Sequence, residues 1–496
     1  MGKSKNNKKP MHPENGWTEE ASMSAAGVRE DETYDQNEEA PDSHIYDVCI
    51  VGAGPHGLSV LSALHSQDAA LTEAQRKIRR PKNSRAGKSL SVCVVDVSGV
   101  WLSNWNRNFT ALDIKWLRSP LLAHPDANDA AALLEYAERE QRLDEIREVD
   151  LSCSCLAGQV DLEVGLYSLP SSALFYDFCQ ELSTKLTHDF VSGRVDSVDR
   201  DSNGSSYTIT FTNDVPALRS RQIVYARGVV GGPQIPLPFC TSFDDRKNIL
   251  HTTECDRFEE IVEDDTVLVI GGGLSAAQAA LLAVSKGAKE TILCSRRPLT
   301  TRQFDVPLNW VNPRENRGCR YEFFGLPDEE KTKWVSKVRG GGSIPKDYMH
   351  RLVAAEQAGR LKLVVGEVES CEVVPTGGLC VKSSGQSIYT TRVVLATGST
   401  PHGVSDSLCT SLAKKFSLPM EGGYPVLSDG LQWGSENFYV TGALALLRLG
   451  PDASNLMGAR RGAQLCASEL GTFEELHNQG SVFSNRYNAL MIDSEC

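Results

Sequence analysis

Short apolar runs, separated by longer amphipathic segments, organise the chain from residue 45 onward. Apolar runs bounded by glycine or polar residues are typical of the buried strands of a parallel sheet. They predict strands at 46–51, 90–96, 266–270, 291–294, 393–396 and 437–440. Helical periodicity predicts helices at 58–65, 130–142, 170–186, 275–286 and 458–470. Alternation between 191 and 223, with a turn at Ser202-Asn-Gly204, predicts a small antiparallel sheet.

Two of the predicted strands run directly into glycine-rich turns that precede a helix. The first turn is Gly52-x-Gly54-x-x-Gly57, and the second, about 220 residues later, begins with Gly271-x-Gly273. A strand, a glycine turn and a helix in this order form the phosphate-binding unit of a dinucleotide-binding domain. The sequence therefore predicts an α/β fold with two Rossmann-like dinucleotide-binding domains.

The residues of the first turn suit a bound pyrophosphate. Gly52 permits a tight turn, Gly54 lets the backbone approach the phosphates, and Gly57 lets helix and strand pack closely. The N–H groups and the dipole at the helix N-terminus attract the same anion. Asp96 ends the next strand and is a candidate acceptor for the hydroxyls of an adenosine ribose. Its distance from the glycines exceeds the usual spacing of about 20 residues, and a basic insertion at 68–88 accounts for the excess.

The second turn leads to a basic strand end in place of an acidic one. Gly271-x-Gly273-x-x-Ala276 is followed by a strand that ends in Arg296-Arg297. Two guanidinium groups suit the 2′-phosphate of NADPH, which a carboxylate would repel. The alternative is that both arginines are solvated surface residues. Two dinucleotide units in one chain indicate a flavin paired with a hydride donor.

Composition and charge argue against several other functions. The chain has 51 Lys and Arg against 64 Asp and Glu, so its formal net charge is −13. An acidic chain without a basic face is a poor binder of nucleic acid. The longest apolar stretch, 266–284, contains a glycine turn and does not predict a membrane span. The 10 histidines are unclustered, so no metal site is expected.

The cysteines and the N-terminal segment predict a cytoplasmic location. The 14 cysteines are scattered and no C-x-x-C motif occurs, which disfavours a disulfide reductase. Cys153-Ser-Cys155 is interpreted as a pair in a loop. Scattered thiols in a long chain are typical of a reducing compartment. Residues 1–44 are polar and acidic, which predicts a disordered tail and not a secretory signal.

The order of the motifs, completed by Ala396-Thr-Gly398, resembles that of the two-dinucleotide-binding-domain flavoproteins. Within that group the chain looks most like the NADPH-dependent flavin monooxygenases of the lysine/ornithine N-hydroxylase-like branch. The stretch Leu112-Asp-Ile-Lys-Trp-Leu-Arg118, before His124-Pro-Asp126, is similar to the segment of that branch that lies along the flavin. The resemblance covers residues 45–470 and implies an FAD domain with an inserted NADPH domain.

The resemblance also implies boundaries and cofactor contacts. An FAD-binding domain would comprise 45–240 and 390–496, and an NADPH-binding domain would comprise 241–389. FAD would lie against Gly52, Gly54, His56, Gly57, Asp96, Trp101, Asp113, Lys115, Gly442, Asn455 and Leu456. NADPH would lie against Gly271, Gly273, Ser275, Arg296 and Arg297, and Gly398 would mark the crossover between domains. The helix that follows Asn455 would stabilise negative charge on the flavin through its dipole.

Three positions depart from the pattern of that family. Ala111 stands where the N-hydroxylases carry a substrate-binding lysine, which puts an amino-acid substrate in doubt. Gly442-Ala443 stands in place of the usual Gly-Asp, which weakens an expected contact to the ribityl chain. Arg227 replaces the threonine of an earlier Ala-Thr-Gly motif.

The implied activity is an FAD-dependent, NADPH-consuming monooxygenase. It would oxidise a small amine or another soft nucleophile with O₂ through a hydroperoxyflavin, with the hard chemistry carried by the cofactor. No acid–base pair is required, so the catalytic residues stay unassigned. The alternative, which Ala111 and Ala443 favour, is a flavin-binding regulatory or interaction protein with lost or weak NADPH oxidase or reductase activity. An oligomer is compatible with either.

An aromatic group and a glycine run each allow two interpretations. Trp101, Trp105, Phe109 and Trp116 are expected either to pack in the core or to flank the flavin or the substrate. The run Arg339-Gly-Gly-Gly-Ser343 predicts either a flexible turn or a mobile element over the active site.

Overall fold

Two parallel sheets organise the described part of the chain. A computed structural model describes residues 44–65, 90–149, 167–228, 231–239, 247–311, 316–375, 377–399 and 402–470. The predicted tail up to residue 43, the basic insertion at 68–88 and the Cys153–Cys155 pair lie outside these residues. Each sheet carries one of the two glycine turns at the end of a central strand.

The first sheet has seven strands, in the order β5-β2-β1-β8-β7-β6, with β19 also paired to β8. Its strands are β1 (Ile45–Val51), β2 (Val92–Asp96), β5 (Asp189–Ser192), β6 (Val195–Arg200), β7 (Tyr207–Phe211), β8 (Leu218–Tyr225) and β19 (Phe438–Val440). β5, β2, β1, β8 and β19 are parallel, whereas β6, β7 and β8 are joined as antiparallel neighbours. β8 is therefore shared between the parallel core and the antiparallel extension.

The second sheet is parallel throughout, in the order β12-β11-β10-β16-β9. Its strands are β9 (Ile249–His251), β10 (Thr266–Ile270), β11 (Glu290–Ser295), β12 (Leu361–Val365) and β16 (Arg392–Leu395). β13 (Val368–Val373), β14 (Leu379–Ser383) and β15 (Gln386–Thr390) form a separate antiparallel sheet. The remaining strands pair two by two: β3 (Ile146–Arg147) with β4 (Leu169–Pro170), and β17 (Met420–Glu421) with β18 (Tyr424–Pro425).

The helices connect and cover these sheets. They are α1 (55–65), α2 (Ser103–Ala111), α3 (Ala132–Arg139), α4 (Ser172–Thr184), α5 (237–239), α6 (Leu274–Ser285), α7 (Leu308–Val311), α8 (Asn316–Phe324), α9 (Asp328–Arg339), α10 (Lys346–Gln357), α11 (Ser407–Lys415), α12 (Leu446–Leu449) and α13 (Leu456–Leu470). α1 and α6 follow the two glycine turns directly, as the sequence predicts.

Small residues set how closely the helices approach the turns. On α6, the side chains of Ala276, Ala277 and Ala280 are fully buried, so the helix lies close to the second sheet. On α13, a Cβ at Gly462 would lie 2.7 Å from the hydroxyl of Thr441. This close approach brings the middle of α13 against Thr441, the residue that follows β19.

The predicted strands and helices are confirmed, with ends shifted by a few residues. The alternating segment 191–223 does not form a sheet of its own, because β8 pairs with β1 along its whole length and extends the first sheet. β16 belongs to the second sheet although it lies beyond residue 389, where the sequence placed the end of the inserted domain. The chain returns to the first sheet only at β19.

His124, from the His-Pro-Asp stretch, is a structural residue. Its imidazole is fully buried, packs edge-on against Phe178, and shares a 3.2 Å hydrogen bond between Nε2 and the carbonyl of Ala130. The carboxylate of Asp126 accepts hydrogen bonds from the backbone N–H groups of Asn128 and Asp129. Burial lowers the pKa of His124 from 6.5 to about 4, so this imidazole stays neutral in the folded protein near neutral pH.

We predict that the folded protein loses stability as the pH falls from about 6.5 to about 4. In that interval the unfolded chain binds a proton at His124 that the folded chain does not, and the loss levels off below pH 4. Unfolding by urea at pH 7 and pH 5 should show a smaller pH effect in His124→Gln than in the unaltered protein. The exposed His350, replaced by Gln, is the matched control. An equal pH effect in the unaltered protein and His124→Gln would contradict the prediction.

Candidate functional site

The first glycine turn combines two glycines required by the fold with one that faces open space. Gly52 has φ +117°, and a Cβ there would lie 2.6 Å from the carbonyl oxygen of Ala226. A Cβ on Gly57 would overlap the carbonyl oxygen of Gly52. A Cβ on Gly54 would meet no atom within 4 Å. Gly52 and Gly57 are thus fixed by backbone packing, whereas Gly54 leaves room for a ligand to approach the main chain.

Asp96 reaches the first turn despite its distance in sequence. One carboxylate oxygen accepts a 3.1 Å hydrogen bond from the backbone N–H of Ala53, and the other accepts bonds from the N–H and hydroxyl of Ser98. The carboxylate therefore braces the turn and lies beside it. This is the position that the sequence predicts for a ribose acceptor.

The C-terminal segment closes over the first turn. A Cβ on Gly442 would lie 3.6 Å from Nδ1 of His56, an atom that has no hydrogen-bond partner within the described residues. The hydroxyl of Thr441 is likewise buried without a partner in the part of the chain described. Burial lowers the pKa of His56 to about 4, an effect that a hydrogen bond with the backbone of Ser454 partly opposes. The two unpartnered polar atoms belong to residues on either side of Gly442, and buried polar atoms without a partner are where a polar ligand can bind.

Asn455 and Leu456 mark the start of α13, as predicted. The side-chain oxygen of Asn455 accepts a 3.1 Å hydrogen bond from the N–H of Gly458, so Asn455 caps the helix. Since Ser454 contacts His56, the N-terminus of α13 lies near the first glycine turn. The role of both residues toward a cofactor stays a prediction.

The second glycine turn is in contact with the glycine run 340–342. Gly271 has φ +155°, and a Cβ there would lie 2.5 Å from the carbonyl oxygen of Ala396. A Cβ on Gly342 would lie 2.8 Å from the Cα of Gly273. The sequence predicts either a flexible turn or a mobile element for this run. In the structure its backbone packs directly on the backbone of Gly273.

Arg296 and Arg297 lie exposed at the end of β11. Neither side chain forms an ion pair or a hydrogen bond with another described residue. The guanidinium of Arg297 lies 3.0 Å from the position of a Cβ on Gly341. Both guanidinium groups are exposed, and their role toward a phosphate stays a prediction.

A cavity of about 1460 Å³ connects the surroundings of the two turns. Its lining includes Ser275, at the start of α6, and Ser454, just before α13. Gly398, which follows the second sheet, also lines it, as does Ala443, one of the positions that departs from the family pattern. The cavity is therefore in contact with the helix N-termini that follow both sheets.

The segment 112–118 lines the cavity with a different set of side chains from the one expected. Leu112, Ile114, Trp116 and Arg118 face the cavity. Asp113 and Lys115 are exposed and form an ion pair with each other, with an N–O distance of 4.0 Å. These two side chains do not line the cavity, and their contact with the flavin stays a prediction.

Trp101 is also turned away from the cavity. Its side chain is buried, its indole N–H donates a 3.2 Å hydrogen bond to His188, and its ring packs edge-on against Phe190. This favours core packing over a flavin contact. Trp105 stacks on Phe109 at 3.8 Å between ring centroids, and only Phe109 of this pair lines the cavity.

Two arginines, Arg118 and Arg339, whose contacts the sequence did not predict, fix one wall of the cavity. Arg118 donates hydrogen bonds to the backbone carbonyls of Arg302 and Gln303 and to the hydroxyl of Ser343, at 2.7–3.0 Å. Arg339 donates to the carboxylate of Asp305 at 2.7 Å. Burial lowers the pKa of Arg118 to about 10. The partners of Arg118 are more than 180 residues away in sequence, so no local pattern reveals them.

Arg339 and Arg227 tie other segments to the same region. Arg339 also donates a 2.7 Å hydrogen bond to the carbonyl of Pro451, which connects α9 to the turn before α13. Arg227, which replaces the usual threonine, pairs with the buried carboxylate of Asp406 at 3.0 Å. The departure at Arg227 is thus accommodated by an ion pair beneath the first turn.

Two negative findings apply to the described ranges. None of the helices there has both the length and the apolar character needed to span a bilayer. No group of three or more His, Cys, Asp or Glu side chains comes close enough there to hold a metal ion.

Two strand–glycine turn–helix units, one on each sheet, beside a cavity lined by Ser275 and Ser454, are the arrangement of two-dinucleotide-binding-domain proteins. Solved structures share this fold. An ornithine hydroxylase from Pseudomonas aeruginosa is 16% identical, with a TM-score of 0.64 over 86% of this chain and 99% of that one. An ornithine N-hydroxylase from Kutzneria sp. 744, with reduced FAD, NADP⁺ and L-ornithine, is 16% identical, with a TM-score of 0.63 over 87% of this chain and 100% of that one.

The sequence itself matches a family within that class. The profile of the L-lysine 6-monooxygenase/L-ornithine 5-monooxygenase family matches residues 168–350, which confirms the predicted resemblance. The L-lysine 6-monooxygenase from Pseudomonas syringae is 17% identical, with a TM-score of 0.60 over 86% of this chain and 99% of that one. A search among curated protein sequences finds no match.

We predict that Gly54→Ala and Gly57→Ala separate cofactor binding from folding. The Cβ of Gly54→Ala has free space, so the free energy of unfolding of the cofactor-free protein should be unchanged. FAD affinity should fall by roughly tenfold, since crowding of a close contact costs about 1–3 kcal/mol. Gly57→Ala should destabilise the cofactor-free protein by at least about that amount. Urea unfolding measures the free energy of unfolding, and titration with FAD measures the affinity. An unchanged FAD affinity in Gly54→Ala would contradict the close approach of FAD to the main chain at Gly54.

Proposed function

We propose that the protein is an FAD-dependent, NADPH-consuming monooxygenase that oxidises a small amine or another soft nucleophile. The observation that carries the proposal is the cavity whose lining includes Ser275, which follows the second glycine turn, and Ser454, which contacts His56 of the first. A hydride can pass between two cofactors only if their reactive rings meet in one space. The family match over residues 168–350 supports the same activity.

The first turn fits FAD. The open side of Gly54 and the N-terminus of α1 suit the pyrophosphate, and Asp96 lies beside them for the ribose. The unpartnered atoms of His56 and Thr441 offer polar contacts farther along the cofactor. The N-terminus of α13 would place a positive dipole near the flavin ring. When bound, FAD supplies the electron transfer and the oxygen chemistry that no amino-acid side chain provides.

The second turn fits NADPH. Ser275 lies at the N-terminus of α6 and lines the cavity, while the exposed Arg296 and Arg297 offer two unpaired charges for the 2′-phosphate. Gly342 packs on Gly273, so the glycine run shields one side of the turn from water. The net reaction balances when one oxygen atom of O₂ goes to the substrate, the other leaves as water, and NADPH supplies two electrons.

The apolar part of the cavity suits the carbon chain of a substrate. Phe109, Leu112, Ile114 and Leu446 contribute this surface, which also keeps water away from the reacting atoms. The free thiols of the described chain agree with the predicted cytoplasmic location.

The activity predicts three linked observations on the purified full-length protein. It should show bound flavin absorbance, oxidise NADPH under air, and release peroxide that decreases when an accepted amine is added. Coupled formation of a hydroxylated product measures oxygen transfer directly. A yellow protein that does not consume NADPH would favour a regulatory flavoprotein, and a colourless protein that takes up no added FAD would contradict the proposal.

We predict that R296A/R297A raises the KM for NADPH by roughly tenfold or more, because charge-assisted hydrogen bonds contribute about 1.5–3 kcal/mol. The KM for NADH should not change, since NADH lacks the 2′-phosphate. The double variant R351A/R360A removes two exposed arginines elsewhere and is the matched control. A KM that rises equally for both coenzymes would contradict the assigned role.

A further inference from the structure

The lining of the cavity holds few side chains that can accept a proton near neutral pH. Its described residues include neither Asp nor Glu, and its cationic side chains are lysines and arginines, which donate hydrogen bonds but have no acceptor atom. Tyr424 also lines the cavity, and burial raises its pKa, so its hydroxyl keeps its proton. His402 is the one histidine of the described lining, and imidazole is the side chain that exchanges protons near neutral pH.

The turn at Gly422 and Gly423 determines which ring nitrogen of His402 can accept a proton. Nδ1 lies 3.2 Å from the carbonyl oxygen of Gly422, and a Cβ on Gly423 would lie 2.7 Å from the same nitrogen. Since a carbonyl oxygen only accepts, Nδ1 carries the hydrogen of the neutral ring and Nε2 keeps its lone pair. The two nitrogens point out of the ring in roughly opposite directions. The lone pair of Nε2 therefore points away from the turn, and Nε2 has no hydrogen-bond partner among the described residues.

A series of contacts connects His402 with the first glycine turn. The ring centroids of His402 and Tyr424 are 5.1 Å apart. β18, which contains Tyr424, packs against Gly442–Ala445. Gly442 is the residue whose Cβ would lie 3.6 Å from His56 of the first turn. His402 thus belongs to the side of the cavity that carries the turn proposed to hold FAD.

The charged groups around His402 leave its imidazole able to exchange a proton. Asp406, four residues later, is paired with Arg227 at 3.0 Å. Next to the turn at Gly422, the charged residues are Glu421 on β17 and Lys333 on α9, the helix whose Thr332 would touch a Cβ on Gly422. Among the described residues, no charged side chain forms an ion pair with His402.

The proposed reaction requires that a proton be removed from the substrate. An amine is oxidised through its lone pair, and an alkylamine with a pKa of about 10.4 is uncharged in only roughly one molecule of a thousand near neutral pH. A base beside the substrate raises that fraction where the reaction takes place.

We propose that His402 is the general base that removes a proton from the ammonium group of the substrate. This inference rests on the proposed monooxygenase function. An N–H bond of the substrate breaks as the bond between Nε2 and hydrogen forms, and the freed lone pair then accepts one oxygen atom. In the balanced reaction an ammonium group, O₂ and NADPH give a hydroxylamine, water and NADP⁺. O₂ takes two electrons from NADPH and two from the nitrogen, and the proton held by His402 leaves in the water.

The test replaces the base and keeps the hydrogen bond of Nδ1. In His402→Asn the amide N–H takes the place of the Nδ1–H group toward Gly422, whereas the basic nitrogen is lost. With an amine that couples NADPH oxidation to product, we expect kcat/KM at pH 7 to fall by roughly 100-fold. Oxidation of NADPH without amine should not change. His350→Asn, at an exposed histidine outside the described lining, is the matched control and should keep the activity.

Two further measurements separate a base from a structural residue. The loss in His402→Asn should shrink as the pH rises toward the pKa of the amine, because the solution then supplies the uncharged form. An analogue of the same amine, with two fluorine atoms on the carbon next to the CH₂ that bears nitrogen, is uncharged at neutral pH. Both proteins should oxidise it equally well. An unchanged kcat/KM in His402→Asn, or an equal loss for the amine and its fluorinated analogue, would overturn the proposal.

The two proposals fail in different ways. Absence of flavin uptake, or of NADPH oxidation with every amine, contradicts the monooxygenase function. The position of the ring proton does not depend on turnover, and ¹⁵N NMR of the histidine-labelled protein measures it, with His402→Asn identifying the signals. We expect a proton on Nδ1 and a bare Nε2 in the neutral ring. A proton on Nε2 in place of Nδ1 would overturn the role of His402 whatever the activity.

Discussion

A contact between two backbones, present once in each sheet, is the constraint on which the rest of the structure depends. The carbonyl of Ala226 packs against Gly52, and the carbonyl of Ala396 packs against Gly271 in the same way. Neither glycine has room for a side chain, because a Cβ would lie 2.6 or 2.5 Å from the carbonyl oxygen. The returning strand therefore passes directly under each turn and leaves the free N–H groups of the turn facing the edge of the sheet, where dinucleotides bind in this fold.

The hydrogen bonds around the two contacts follow one scheme. The N–H of Gly52 donates to Val95 at 2.8 Å, and that of Gly271 donates to Cys294 at 3.0 Å. In the first sheet the N–H of Ala226 donates to the carbonyl of Val51 at 2.9 Å. In the second sheet the N–H of Ala396 donates to the carbonyl of Ile270 at 2.8 Å. Since the backbone makes all these bonds, the side chain that follows is free to vary. Arg227 in one sheet and the threonine of Ala396-Thr-Gly398 in the other occupy equivalent positions.

The sequence predicts those parts of the molecule that local patterns determine. Both turns, their strands and their helices follow from apolar runs and glycine spacing, and Asp96 follows from its place at a strand end. The alternation of apolar Leu112 and Ile114 with charged Asp113 and Lys115 indicates which side of the 112–118 segment lines the cavity, but the family resemblance placed the charged pair at the flavin. The partners of Arg118 depend on contacts between segments that are far apart in the chain, and such contacts leave no periodic signal.

The end of α2 and the helix α9 differ in the positive charge that they carry. Ala111, at the end of α2, carries no charge, whereas the resemblance to the N-hydroxylases implies a lysine there. α9 carries Lys333 and Lys337, which line the cavity, and Arg339 fixes that helix to the turn before α13. Because an ion attracts its partner only over a short distance in screened solution, the wall that carries the charge determines where the charged end of a substrate lies. A cation on α9 in place of one on α2 would place the charged end of a substrate against a different wall without altering the fold that carries the two dinucleotide turns.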